Sequence, residues 1–303
     1  GLYNFGNAVL SAAGDTKRPL YYLLFSGVLN VLLNLLFVIV FRLDVVGVAL
    51  ASIISQYLSA VLILRVLLTT EADFSVSLRG LKIVSDKLIR ILKIGLPSAF
   101  QYAVFAIANL FVQTGVNSFD HVMVEGNSAA ANADPLVYDM MAAFYTACAS
   151  FIAQNFGANK KDRIMKSYLI CLLYSFVMGL VLGVALYLLR HPFLALFTNE
   201  AAVAEAGMKR ISIMALSYCV SAFMDNTIAA ARGLGKTFVP TILVILGSCA
   251  FRITWIYTVF AYFKTIPSLY LLYVFSWAIT AIAEIIYFLA VYRKSCRGSA
   301  SLS

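Results

Sequence analysis

The chain has 303 residues, 62% of them apolar or aromatic and only 12% charged, with 23 Lys and Arg against 14 Asp and Glu and a net charge of +9. About a quarter of the residues in an ordinary soluble domain are charged, so this composition, with a mean hydropathy of +0.90, excludes a cytosolic globular protein. The apolar residues gather in stretches of about 20 or more, the length that crosses a bilayer core, and the chain reads as an all-α, polytopic membrane helix bundle.

In chain order, residues 1–13 read as the last turns of a helix that begins upstream, and the chain is expected to be a fragment without its N-terminus. A polar link, Gly14 to Pro19, follows. Apolar spans are then predicted at about 20–41, 45–68, 94–118, 123–155, 168–189, 208–231, 238–262 and 268–291. The fourth is too long for one straight crossing and carries Glu125, Asp134, Pro135 and Asp139, so a break inside it is expected. Continuous runs of this length argue against barrel strands, which alternate over about ten residues.

The charges report topology. Lys17, Arg18, the basic residues from Arg65 to Lys93, those from Lys160 to Lys166, Arg232, Lys236, Arg293, Lys294 and Arg297 fall on one side; Arg42, Arg190, Lys209, Arg210 and Lys264 fall on the other. Because positive loops stay cytoplasmic, the first group is assigned inside, which puts the C-terminus in the cytoplasm and removes nucleic acid as a partner. The longest polar segment, 71–92, reads as a cytoplasmic linker, and Leu81, Val84, Leu88 and Leu92 predict a short amphipathic helix on the membrane surface. Cys148, Cys171, Cys219, Cys249 and Cys296 lack any CxxC spacing, and only His121 and His191 accompany them, so neither a disulfide framework nor a metal site is supported.

A duplication is visible where Gly14-Asp15-Thr16-Lys17-Arg18-Pro19 is laid on Gly235-Lys236-Thr237-Phe238-Val239-Pro240, both reading G-x-T-x-x-P before an apolar span. This pattern suits two homologous lobes, a plan in which the substrate path lies between repeats.

The runs Gly95-Leu96-Pro97-Ser98-Ala99, Val116-Asn117-Ser118-Phe119, Gln154-Asn155-Phe156-Gly157-Ala158-Asn159, Arg232-Gly233-Leu234-Gly235 and Arg252-Ile253-Thr254-Trp255 together resemble the multidrug and toxic compound extrusion (MATE) family. The resemblance covers nearly the whole chain. It implies a two-lobed fold: residues 1–70 as the end of an N-lobe (the end of helix 4 with helices 5 and 6), 71–92 as linker, 93–293 as a six-helix C-lobe and 294–303 as a cytoplasmic tail. It also implies a monomeric, multi-pass plasma-membrane antiporter that works by alternating access and takes no cofactor beyond a coupling proton or sodium ion.

An ionisable group in a membrane span is costly and usually faces a cavity, a partner or a proton path. Asp225, Arg252 and Glu284 each lie roughly 13–20 Å from the cytoplasmic end of their span, counted at 1.5 Å per residue, and are expected to meet. Asp225 continues the stripe Ser217, Ser221, Asp225, Arg232. The resemblance favours Asp225 as the coupling carboxylate, since related members carry an acid seven positions before this Arg-Gly. A buried Asp225–Arg252 pair that only locks helices is the rival. Glu284 shares a face with Trp277, Thr280 and Tyr287, while Gln101, Asn109, Gln113 and Asn117 form a neutral polar line; these faces, with Ser221 of the Asp225 stripe, are expected to line the substrate path. Where the family's sodium-dependent members place an acid, this chain has Phe105, which favours protons. The expected activity is export of small cationic amphipathic compounds across the lipid bilayer. The alternatives are a lipid-linked saccharide flippase, a helical scaffold, or an intramembrane enzyme, for which no nucleophile–base pair is evident.

Overall fold

The structure, a computed structural model, describes residues 1–72, 74–80 and 82–297; Asp73, Leu81 and the tail residues 298–303 of the sequence reading lie outside them. The described residues form helices joined by short turns and loops, without a strand, and divide into two compact units, 1–85 and 86–303.

In the first unit, α1 (Leu2–Ala12) and α2 (Lys17–Asn34) both pack on α3 (Asp44–Thr69). The contact stripe of α3 is Gly47, Ala51, Ser55, Ser59, Ile63 and Leu67, a four-residue repeat that keeps one helix face. Leu10, Ile63 and Leu67 form its small core. The Tyr3 hydroxyl donates to the Pro19 carbonyl at 2.8 Å, tying α1 to the start of α2. Most of α2 presents Leu23, Leu24, Phe25, Val28 and Val31 outward, as a helix solvated by lipid does. Its last turn widens to π-helix at Leu35–Val40.

In the second unit, α4 (Ser85–Val116) runs as one helix of 32 residues. The separate surface helix expected before it is therefore absent: nothing between Ser85 and Gly95 breaks the backbone, so the amphipathic turns simply continue into the span. Pro97 sits inside α4 and cannot donate to the Lys93 carbonyl one turn back. That carbonyl instead accepts from the Thr237 hydroxyl at 3.2 Å, which pins α4 to the turn before α10.

The long fourth span breaks at Asn132 into α5 (His121–Ala131) and α6 (Ala133–Gly157). Asp120 caps α5 by accepting from the Met123 amide. The chain continues through α7 (Lys161–Leu188), the short α8 (Arg190–Leu194) and α9 (Ala201–Gly233). The next span is interrupted twice: α10 (Phe238–Val244), a π-helical segment Ile245–Ala250, α11 (Phe251–Trp255), a second π segment Ile256–Phe260, and α12 (Ala261–Phe263). Lys264, at φ +48°, turns the chain, and Thr265 and Ser268 form a capping box that opens α13 (Ile266–Tyr292). In all, the described residues contain eight stretches long and apolar enough to cross a membrane.

Helix α9 is the axis of this unit, packed by α5, α6, α7 and α13. Small residues allow this. A Cβ on Gly183 of α7 would run into the Ala215 carbonyl oxygen of α9, one on Gly179 would lie 3.2 Å from the Cys219 Cα, and one on Gly126 of α5 would lie 2.7 Å from the Gly207 amide, so these glycines permit close helix approach.

The two G-x-T-x-x-P segments adopt the same turn. Gly14 and Gly235 have φ of +91° and +74°. In each, the glycine amide donates three residues back and the next amide five back, Gly14 to Ser11 and Asp15 to Leu10, Gly235 to Arg232 and Lys236 to Ala231. Glycine is needed there because a left-handed backbone costs an L-residue about 1–2 kcal/mol. Gly235→Ala is expected to lower stability by about that amount and Gly235→Asn by less, measured as thermal midpoints in detergent. Gly183→Val should cost more, about 3 kcal/mol, because the opposing atom is backbone and cannot rotate away.

Candidate functional site

A cavity of about 350 Å³ opens within the second unit, walled by α4, α6, α9, α11 and α13. From α4 come Gln101, Tyr102, Phe105 and Asn109; from α6, Asp134, Tyr138 and Tyr145; from α9, Met214, Met224, Asp225, Ile228, Ala229 and Arg232; from α11, Arg252; and from α13, Tyr273 and Trp277. Six of its sixteen lining residues are aromatic. Tyr138 meets Tyr218 edge-on at 5.4 Å and Trp277 at 6.1 Å, and Tyr273 meets Trp277 at 5.6 Å between centroids.

Arg252 is 2% exposed, although its guanidinium belongs to the cavity wall. Its Nε donates to the Ser276 hydroxyl and its Nη1 to the Asn109 side-chain oxygen, both at 3.2 Å. Three rings surround it, Tyr273 at 4.6 Å, Phe105 at 5.2 Å and Trp277 at 6.0 Å, positions at which a ring face attracts a cation. Arg232 donates from Nη2 to the Gln101 oxygen at 2.8 Å. Asp225 lines the cavity one stripe position above it, and no ion pair within 4 Å engages Asp225 among the described residues.

The cavity thus gathers Asp225, Arg252, Gln101, Asn109 and Trp277 as the sequence predicts, but not the rest. Glu284 is fully buried outside it, and neither carboxylate oxygen has a hydrogen-bond partner; the expected meeting of Asp225, Arg252 and Glu284 does not occur. The α13 face does run Trp277, Thr280, Glu284, Tyr287, yet below Trp277 it turns against the π segment of the preceding span, where Thr280 is bonded to Ser248 at 2.9 Å. Tyr287 lines a separate groove with Lys93 and Lys236. Ser221 is buried and donates to the Tyr218 carbonyl. Gln113 is exposed and bonded to Asn117. The rival Asp225–Arg252 lock is not formed either.

One ion pair escaped the sequence reading. Arg210, counted among outer-side loop charges, is 5% exposed and donates from Nη2 to Asp134 at 2.6 Å, and the Tyr218 hydroxyl donates to the other oxygen of the same carboxylate. The structure starts α9 at Ala201, so Arg210 stands roughly 14 Å along it at 1.5 Å per residue, well inside the helix rather than at its edge. The span's apolar stretch was read as starting at 208, which misplaced it.

Comparisons with known proteins agree with this architecture. The MatE family model matches residues 97–258, more than half of the chain. The chain belongs to the MATE family. It is 33% identical over 163 residues to the probable multidrug resistance protein YpnP of Bacillus subtilis, covering 54% of this chain and 36% of that protein. To YoeA of the same organism it is 26% identical over 252 residues, covering 80% and 54%. A structure of MATE in the straight conformation superposes with a TM-score of 0.89 at 19% identity, over 97% of this chain and 67% of that one. An outward-facing multidrug resistance MATE family transporter gives 0.88 at 20%, over 97% and 66%. The chain therefore spans about half or less of these two curated relatives. It is a multi-pass membrane protein with a MATE-type fold, of a family of multidrug transporters.

The Asp134–Arg210 pair should be strongly coupled. Removing one partner of a buried pair typically costs about 3–5 kcal/mol, so Arg210→Met is expected to destabilise by that order and Arg210→Met with Asp134→Asn by clearly less. A double-mutant cycle of unfolding in detergent measures the difference.

Proposed function

We propose that this chain is the C-lobe, with the end of the N-lobe, of a secondary antiporter that exports amphipathic organic compounds with a cationic centre in exchange for protons or sodium. The observation that carries the reading is Asp225: a carboxylate on an aromatic cavity wall, deep in a membrane span and without an ion-pair partner. Holding a charge there is costly, and a group that alternates between a proton and an organic cation resolves that cost in both states. Protonation removes the charge that attracts the substrate, so ion and substrate compete for one site and each drives the other across. The orientation proposed with it has a cytoplasmic C-terminus, a reading supported by the distribution of basic residues. The domain limits follow: N-lobe remnant to residue 70, linker to 92, C-lobe to 293. No catalytic role is proposed.

Phe105, where sodium-dependent relatives carry an acid, supports protons over sodium. Glu284 is left as a second carboxylate that could exchange a proton, Ser221 stands beside Asp225, and Gln113, Thr280 and Tyr287, outside the cavity lining, serve helix contacts. A saccharide flippase gains little from this cavity, whose size matches a small organic ligand.

In vesicles, efflux of a fluorescent organic cation under separately imposed proton and sodium gradients tests the reading. Wild-type protein should respond to the proton gradient, and its binding of the cation should weaken as pH falls. Asp225→Asn should lose at least nine-tenths of driven efflux while inserting normally; wild-type rates from that variant would remove Asp225 from the mechanism.

A further inference from the structure

The geometry points to an anion subsite at Arg252: the transported compound carries a carboxylate, sulfonate or phosphate group beside its cationic, aromatic body. Helices α9 and α11 carry three buried or half-buried arginines. Arg210 has a counter-ion, bonded at 2.6 Å. Arg252 and Arg232 have none within 4 Å among the described residues, and every hydrogen-bond acceptor they reach is neutral, Ser276 and Asn109 for one and Gln101 for the other. Of the two cavity carboxylates, Asp134 is already engaged by Arg210 and Tyr218, and Asp225 alone faces both cations.

The cavity wall therefore carries an excess of positive charge even with Asp225 ionised, and more once it is protonated. Arg252, 2% exposed as a residue, has neutral hydrogen-bond partners only and no counter-ion within 4 Å among the described residues, and it cannot relieve the cost of burial by losing its proton. The Nη2 of Arg252 makes no hydrogen bond among the described residues, which leaves donors for a planar anion. The rings of Phe105, Tyr273 and Trp277 around it fix the guanidinium plane and offer apolar area to the aromatic body of the ligand. A compound bearing only positive charge is attracted by Asp225 and opposed by the two arginines, whereas a zwitterion is favoured by all three.

This inference rests on the export reading for the ligand's being a transported compound, and binding and transport are measured separately. Rhodamine B, which carries a free carboxylate beside its cationic xanthene, and its ethyl ester, in which that carboxylate is blocked, are titrated against the full chain in detergent by fluorescence anisotropy. The ratio of acid to ester affinity, compared between wild type and Arg252→Gln, cancels partitioning of the dyes into detergent. Wild type is expected to exceed the variant in that ratio by at least tenfold, with ester affinity not weakened by the substitution. Should Arg252→Gln fail to insert, Arg252→Lys takes its place and should lower the ratio several-fold, since the point charge remains but the planar fork is lost. A ratio unchanged within twofold overturns the subsite. Gradient-driven efflux of the ester alongside an unchanged ratio would leave the antiporter standing without the subsite; a changed ratio without driven efflux would do the reverse.

Discussion

A helix that carries two arginines and an aspartate can stand in a membrane only if protein, not lipid, surrounds it. Helix α9 is that helix, bearing Arg210, Asp225 and Arg232, and 67% of its most apolar stretch is buried, against 33% or less in every other span. The rest of the second unit follows from enclosing it. Glycines on α5 and α7 bring backbones against it, because lipid supplies no hydrophobic drive for helix association and close packing must replace it. Helices α2 and α7, with no such charge to hide, leave broad leucine and valine faces outward.

Enclosure also explains why the cavity lies where it does. Side chains that cannot be packed dry need either a partner or a polar space. Arg210 finds Asp134, at the first turn of α6 just past the break at Asn132. Arg232 and Arg252 find neutral acceptors, Arg252 with aromatic faces around it, and Asp225 faces the open volume with Ser221 beside it. The break in the fourth span and the two π segments flanking Arg252 are irregularities of the kind tolerated at membrane depth where backbone is covered by protein or faces a cavity.

The equivalence of the Gly14 and Gly235 turns has a similar logic. A helix that ends at the membrane surface must cover its last carbonyls and restart within three residues. One positive-φ glycine followed by a threonine and a proline in the first turn does both. In the second unit the threonine has an added task, since Thr237 satisfies the Lys93 carbonyl that Pro97 frees.

Composition and run length determined the class of protein, the eight spans and the break in the fourth, and contiguous motifs carried the repeated turn and the resemblance to the family, because each is a local property of the chain. Asp225 and Arg252 were legible as site residues for the same reason: an ion in an apolar run is conspicuous whatever surrounds it. What sequence could not decide was which conspicuous groups share a space. Glu284 lies on the same α13 face as Trp277, but the face turns away from the cavity where Thr280 meets Ser248. Arg210 hid at the edge of an apolar stretch although the helix beneath it starts earlier. The surface helix before α4 dissolved into the span because amphipathic periodicity shows a face and not a boundary. Only the tertiary structure decided these points, since ion pairing and cavity lining depend on where helices cross, and crossings are set by small residues and kinks far apart in the chain.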